Sequence, residues 1–182
     1  RASLETGFYP HAAAGQPRLL HVASWDGGEI PPAPVVILTA PYLSFPDDPS
    51  ERSLHVPLFV RGPQFAPGAD DRLVSLVDIA ATFASPTHGV SLLGAPRESL
   101  FAYGRLAQPG EWRLLLRGFD KLVTNVRGEV TALFNLALDP EESVNLASSK
   151  SHALLRDELL AHLRLWQRRL AYLIDPSGLK RR

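Results

Sequence analysis

Apolar positions along the chain fall first into short runs, then into a helical period, then into strand-length runs, and finally into a helical period again. "VVILTA" (35–40) is a short, largely β-branched run set between Pro34 and Pro41. It predicts a strand covered on both faces. "HVPLFVRG" (55–62) predicts a second strand, and the loop between them, "PYLSFPDDPSERS", is long enough to carry function or an insertion. In "DDRLVSLVDIAATFAS" (70–85), Leu73, Val74, Leu76, Val77, Ala80 and Phe83 lie near the helical period behind leading acidic residues. That pattern predicts a helix.

A turn-rich linker, "PTHGVSLLGAP", precedes three runs, "EWRLLLRG", "DKLVTNV" and "TALFNLAL". The breaks at Gly118-Phe119-Asp120 and Arg127-Gly128-Glu129 are short enough for hairpins, so the runs predict an antiparallel meander. Over about 150–173 Leu155, Leu159, Leu163, Trp166, Leu170 and Leu173 form one stripe at spacings of four and three. Arg156, Arg164, Arg168 and Arg169 lie largely off it. An amphipathic helix packed on the sheet is expected, stopping near Asp175-Pro176-Ser177-Gly178. The tail "LKRR" reads as solvated.

The chain has 182 residues, which suits one domain, or one lobe and part of another. Its 19 basic and 19 acidic residues cancel, leaving no single-sign field for nucleic acid or an anionic membrane, so neither is expected as a partner. No apolar run approaches the ~20 residues of a membrane span. Zero Cys excludes disulfides, thiolate catalysis and zinc–thiolate sites within this stretch and leaves the compartment undetermined.

The joint between the last apolar run and the last helix, "ALFNLALDPEESVNLA" (132–147), carries the most information. Pro140 disfavours helical geometry at Asp139 and ends the strand, and Asp139 is suited to accept backbone N–H groups in an Asx-type turn. Glu141 and Glu142 then precede a helix that Asn145, Ser148 or Ser149 is suited to cap.

This stretch resembles the C-terminal signature of sulfatases, a Leu-Tyr-Asp-Leu strand followed by Asp-Pro, a Glu and Asn-Leu-Ala, with Phe134 in place of Tyr and Asn135 in place of Asp. Three further segments resemble the family in order and spacing. "ERSLHVPLFVRGP" (51–63) looks like its Glu-then-Val-Pro-Leu strand. "LVSLVDIAATFAS" (73–85) looks like its Asp-containing helix, with Ala81 replacing Pro, and "RGFDKLVTN" (117–125) looks like the strand whose Lys precedes the final hairpin.

The resemblance implies an α/β fold: the end of an alkaline-phosphatase-like core over 1–95, and a small C-terminal lobe over 96–182 with a short antiparallel sheet packed against a long closing helix. It implies a hydrolase of sulfate esters, inactive as this isolated chain. Its alternatives are a non-catalytic, sulfatase-derived binding module and part of a phosphonate or phosphate monoester hydrolase of the same superfamily. A complete member is expected to use a formylglycine from a Cys/Ser-x-Pro-Ser-Arg motif beside a calcium-type divalent cation. No such motif occurs here. Where the family places Ser/Thr-Asp-His-Gly, this chain reads Thr39-Ala40-Pro41-Tyr42, and the following loop has no Lys for sulfate. A sulfate-ester substrate is therefore expected only together with the family's N-terminal part.

No catalytic, cofactor-binding or metal-binding residue is assigned. Asp47, Asp48 and Glu51 form an acidic cluster better suited to a solvated turn than to a calcium cage, and "SWDGGEI" (24–30) reads as a Gly-rich turn rather than a metal loop. The six histidines, at 11, 21, 55, 88, 152 and 162, have no tight metal spacing. No Gly-x-Ser-x-Gly elbow supports a hydrolase triad.

Overall fold

The structure is a computed structural model and describes residues 35–39, 49–83, 88–105 and 111–174. The chain divides into two compact units, one of residues 1–41 and 56–97, the other of residues 42–55 and 98–182. Segment 42–55 thus belongs to the second unit although it lies in sequence between two strands of the first.

In the first unit, strand β1 (Val36–Thr39) pairs antiparallel with β2 (Leu58–Arg61) in a two-stranded sheet. Both strands fall where the apolar runs place them, but the expected cover is not complete. Val35, Ile37 and Thr39 are only half-buried, and Phe59 on β2 is 67% exposed. Strand β2 shows simple alternation of half-buried and exposed positions. A two-stranded ribbon offers too little surface to close both faces.

The helix expected over 70–85 is shorter. It spans Leu76–Phe83, and residues 70–75 are not helical. The Asp78 carboxylate reaches back to accept the Ser75 N–H at 2.8 Å, one half of a capping box, and this sets the start. Upstream, Asp70 is committed to Arg72, accepting its backbone N–H at 3.1 Å and its Nε–H at 2.7 Å.

The second unit is a four-stranded antiparallel sheet in the order β3–β4–β5–β6, with a long helix. Strands β4 (Glu111–Arg117), β5 (Asp120–Asn125) and β6 (Val130–Asn135) are the expected meander. Gly118 takes φ +57° at the first position of the two-residue turn joining β4 to β5. Gly128 takes φ +79° at the third position of the four-residue connection, 126–129, joining β5 to β6.

Strand β3 (Ser99–Arg105) was not expected. Its sequence, "SLFAYGR", has weak alternation and a glycine. The glycine has a tertiary reason: Gly104 faces Trp112 across the ladder, and a Cβ there would lie 2.5 Å from the indole.

The terminal helix spans Ala153–Ile174 behind a single 3₁₀ turn, Lys150–His152. Its stripe behaves as the spacing predicts at Leu155, Leu159, Leu163 and Trp166, while the side chains of Leu170 and Leu173 lie outside the described ones. Leu159 and Leu163 close a core with Leu115, Leu122 and Leu133, which face one another in register on β4, β5 and β6. Phe101 and Trp166 stack face to face at this core's edge, ring centroids 4.6 Å apart. The opposite sheet face is also closed at the centre, with Trp112, Leu114, Leu116, Lys121 and Val123 buried. The expected helix stop at 175–178 and the "LKRR" tail lie outside the described residues.

Candidate functional site

Lys121 stands on β5 between cross-strand neighbours Leu116 and Phe134, on the face opposite the helix. Its side chain is 1% exposed. A buried ammonium needs a partner close at hand. Glu142 Oε1 lies 2.6 Å from Nζ and Glu51 Oε2 lies 3.8 Å away. Glu142 uses its other oxygen, Oε2, to accept the Glu51 backbone N–H at 2.7 Å. Glu51 opens a one-turn helix, Glu51–Leu54, and its Oε1 is 3.1 Å from Nδ1 of His55. Three segments far apart in sequence therefore meet at one cluster around a buried ammonium, with Glu142 and Glu51 half-buried beside it.

The Asp139-Pro140 joint explains how Glu142 arrives there. Strand β6 ends at Asn135, earlier than the apolar run suggests, because Leu136–Leu138 turn away. Asp139 caps the turn as expected, accepting the N–H groups of Ser143 at 3.0 Å and Val144 at 2.8 Å. Those bonds, with that from the Ser143 hydroxyl, hold its carboxyl below the usual carboxylate range. The chain reverses through Glu142, which sits at φ +56°.

Asn145 does not cap the helix. Its Oδ1 accepts the Leu133 N–H at 3.1 Å, its Nδ2 donates to the Thr131 carbonyl at 2.9 Å, and Leu146 N–H donates to the Leu133 carbonyl at 2.8 Å. The side-chain amide thus covers the outer edge of β6. At the helix entry the Ser149 hydroxyl turns instead to Nδ1 of His152, 2.9 Å away. The neighbouring Ser151 hydroxyl lies 3.1 Å from the same nitrogen, but Ser151 is exposed and Ser149 only half-buried, and no partner carboxylate is described there.

The first unit has its own buried charge. Asp78, 2% exposed, pairs with Arg97, whose Nε donates to Oδ2 at 2.9 Å and whose Nη2 donates to Oδ1. The same carboxylate accepts the N–H groups of Ser75 and of Val90, the latter at 2.7 Å. A shallow recess beside it is lined by Arg72, Val74, Ser91, Leu92 and Pro96. Arg72 there donates to the carbonyls of Gly94 and Leu92. Nearby in sequence, His88 is held below its ordinary pKa by burial.

Of the residues weighed as metal candidates, Asp47, Asp48 and the "SWDGGEI" loop lie outside the described residues, as do Ala40, Pro41 and Tyr42. Glu51 is described, and its neighbours are an ammonium and an imidazole. This donor-rich setting does not fit a divalent cation. Among the described residues no group of three His, Cys, Asp or Glu side chains is placed to hold a metal. His55 is exposed, and His162 packs edge-on against Phe101. From sequence Lys121 is assigned no role and stands only within the segment 117–125; the signal that could have found it is a lysine inside an apolar strand. Its two glutamate partners carried no local signal of pairing.

No family profile matches the chain, and no curated protein does. Solved structures do. A protein assigned as a sulfatase from Bacteroides thetaiotaomicron matches with TM-score 0.63 at 18% identity, covering 74% of this chain and 36% of its own. A 2-O GAG sulfatase matches with TM-score 0.61 at 18% identity, over 78% and 37%. The phosphonate monoester hydrolase of Agrobacterium radiobacter matches with TM-score 0.58 at 22% identity, over 72% and 35%. The chain thus shares a fold, in the α/β class, with part of each of these proteins. It spans little more than a third of the length of these proteins, a share consistent with their C-terminal portion. Among the described residues, no helix is long and apolar enough to cross a membrane.

Proposed function

We propose that this chain is the C-terminal portion of a sulfatase-like hydrolase of sulfate esters. On this reading residues 1–95 supply the end of its alkaline-phosphatase-like core and 96–182 its small lobe, except that Glu51–His55 fold with the second unit and Arg97 with the first. The observation that supports the reading most is the meeting of Glu51, Lys121 and Glu142. They come from three of the four segments whose order and spacing resemble sulfatases, and they form one enclosed ion cluster. Such a cluster ties those segments together by a physical requirement, the neutralisation of a buried ammonium. It is a supporting element and not a reaction centre, because its charges are satisfied by one another and it faces no described cavity.

The nucleophile, and the calcium-type cation expected of a complete family member, are then supplied from outside the described residues. Here the donor set around Glu51 does not fit the cation. A phosphonate or phosphate monoester as substrate is the second reading, supported by the match to the phosphonate monoester hydrolase at 22% identity.

The test is purification of the native protein from its source, with its intact mass, its peptides, and its hydrolysis of p-nitrophenyl sulfate against the corresponding phosphonate ester. A mass well above 19.9 kDa, a formylglycine-bearing peptide and preference for the sulfate ester are expected. Preference for the phosphonate favours the second reading. A 19.9 kDa species that hydrolyses neither ester overturns both.

A further inference from the structure

Glu142 is the only non-glycine at positive φ among the described residues. Glutamate is disfavoured in that conformation, and such a residue persists where its surroundings require it. Glycine would relieve the backbone but would lose the carboxylate. That carboxylate performs two tasks at once, with Oε1 on the Lys121 ammonium and Oε2 on the Glu51 N–H, 91 residues away.

The helix Glu51–Leu54 cannot hold itself. One turn is far below the length at which a helix is stable in water. Ser50 precedes it without capping it, its hydroxyl lying 3.3 Å from Ser53 Oγ. The first amide of the turn is left for a distant acceptor, and Glu142 is that acceptor.

We propose that Glu142 is a positioning residue, a clasp that fastens the Glu51–Leu54 turn to the second face of the four-stranded sheet, with Lys121 holding its carboxylate in place. Segment 49–55 lies in sequence between β1 and β2, so the clasp makes the placement of a piece inserted in one hairpin depend on a turn near the end of the chain. The clasp is read from the same cluster that supports the hydrolase reading, but the two are tested apart, the one by amide exchange at Glu51 and the other by mass and ester hydrolysis.

Residue-resolved amide hydrogen exchange on the full chain tests it. In the unaltered protein the Glu51, Leu54 and His55 amides are expected to be protected to within about tenfold of the Leu115 and Leu122 amides. Free exchange at Glu51 overturns the proposal without any variant. Lys121→Met/Glu142→Met removes both charges together, so the sheet keeps its protection while Glu51, Leu54 and His55 exchange at least about tenfold faster. Lys121→Met/Glu142→Gln retains an amide oxygen for the Glu51 N–H and restores most of the protection. Unchanged exchange at Glu51 in the double-methionine variant, or an equal rise across β4 and β5, shows that the pair serves only the sheet.

Discussion

Around Lys121 a buried ion pair lies on the far side of a sheet whose other face carries a continuous leucine core, whereas around Asp78 the ion pair stands beside only a few of the described apolar residues. In both places a carboxylate neutralises a buried cation and also accepts backbone N–H groups. The second unit adds Leu115, Leu122, Leu133, Leu159 and Leu163, all essentially inaccessible. Among its described residues the first has Val77, Ile79 and Ala80 buried on one short helix, and Phe59 open to solvent. Apolar burial is the main source of stability, so where few described apolar side chains surround an ion pair, each polar contact counts for more.

The largest effect is therefore expected from Asp78→Asn. It removes the carboxylate charge that faces the enclosed Arg97 guanidinium, and breaking such a pair costs about 3–5 kcal/mol. Amide exchange along Leu76–Phe83 should rise while that of β4 and β5 holds. Equal loss in both units would show that they do not respond separately, and the comparison would break.

Leu122→Ala tests the other side. Removing a buried leucine from the centre of the core should lower stability by about 2–5 kcal/mol in chemical denaturation, with β4, β5 and the terminal helix affected first. Gly104→Ala should lower it by about 1–3 kcal/mol, because the new methyl meets the Trp112 ring and backbone or ring must move. Trp112→Leu on that background should recover part of the loss. No recovery would count against the close approach as its cause.

The smallest effect is a pH dependence confined to the first unit. Burial lowers the His88 pKa from 6.5, so the unfolded chain takes up its proton first as pH falls. The stabilising contribution of neutral His88 is present above about 6.5 and is lost as pH falls through the depressed folded value. His88→Gln should flatten the pH dependence of exchange in Leu76–Phe83 between neutral and mildly acidic pH. An unchanged slope would mean another group titrates there.

Local pattern and tertiary demand divided the structure between them. The period of apolar residues determined β1, β2, the β4–β6 meander and the terminal helix, because side-chain spacing and glycine turns are local properties. The same logic placed Asp139 in its turn. It overextended the Leu76–Phe83 helix at its start, where Asp78 chose a partner three residues back, and it missed β3, whose glycine makes sense only under Trp112. The fate of Asn145 followed from the open edge of β6. Resemblance in four short segments marked Glu51, Lys121 and Glu142 as belonging to informative stretches. Only the folded chain decided that they meet, because a buried ammonium must find its counter-charge wherever packing brings one, and no period in the sequence encodes a contact across 91 residues.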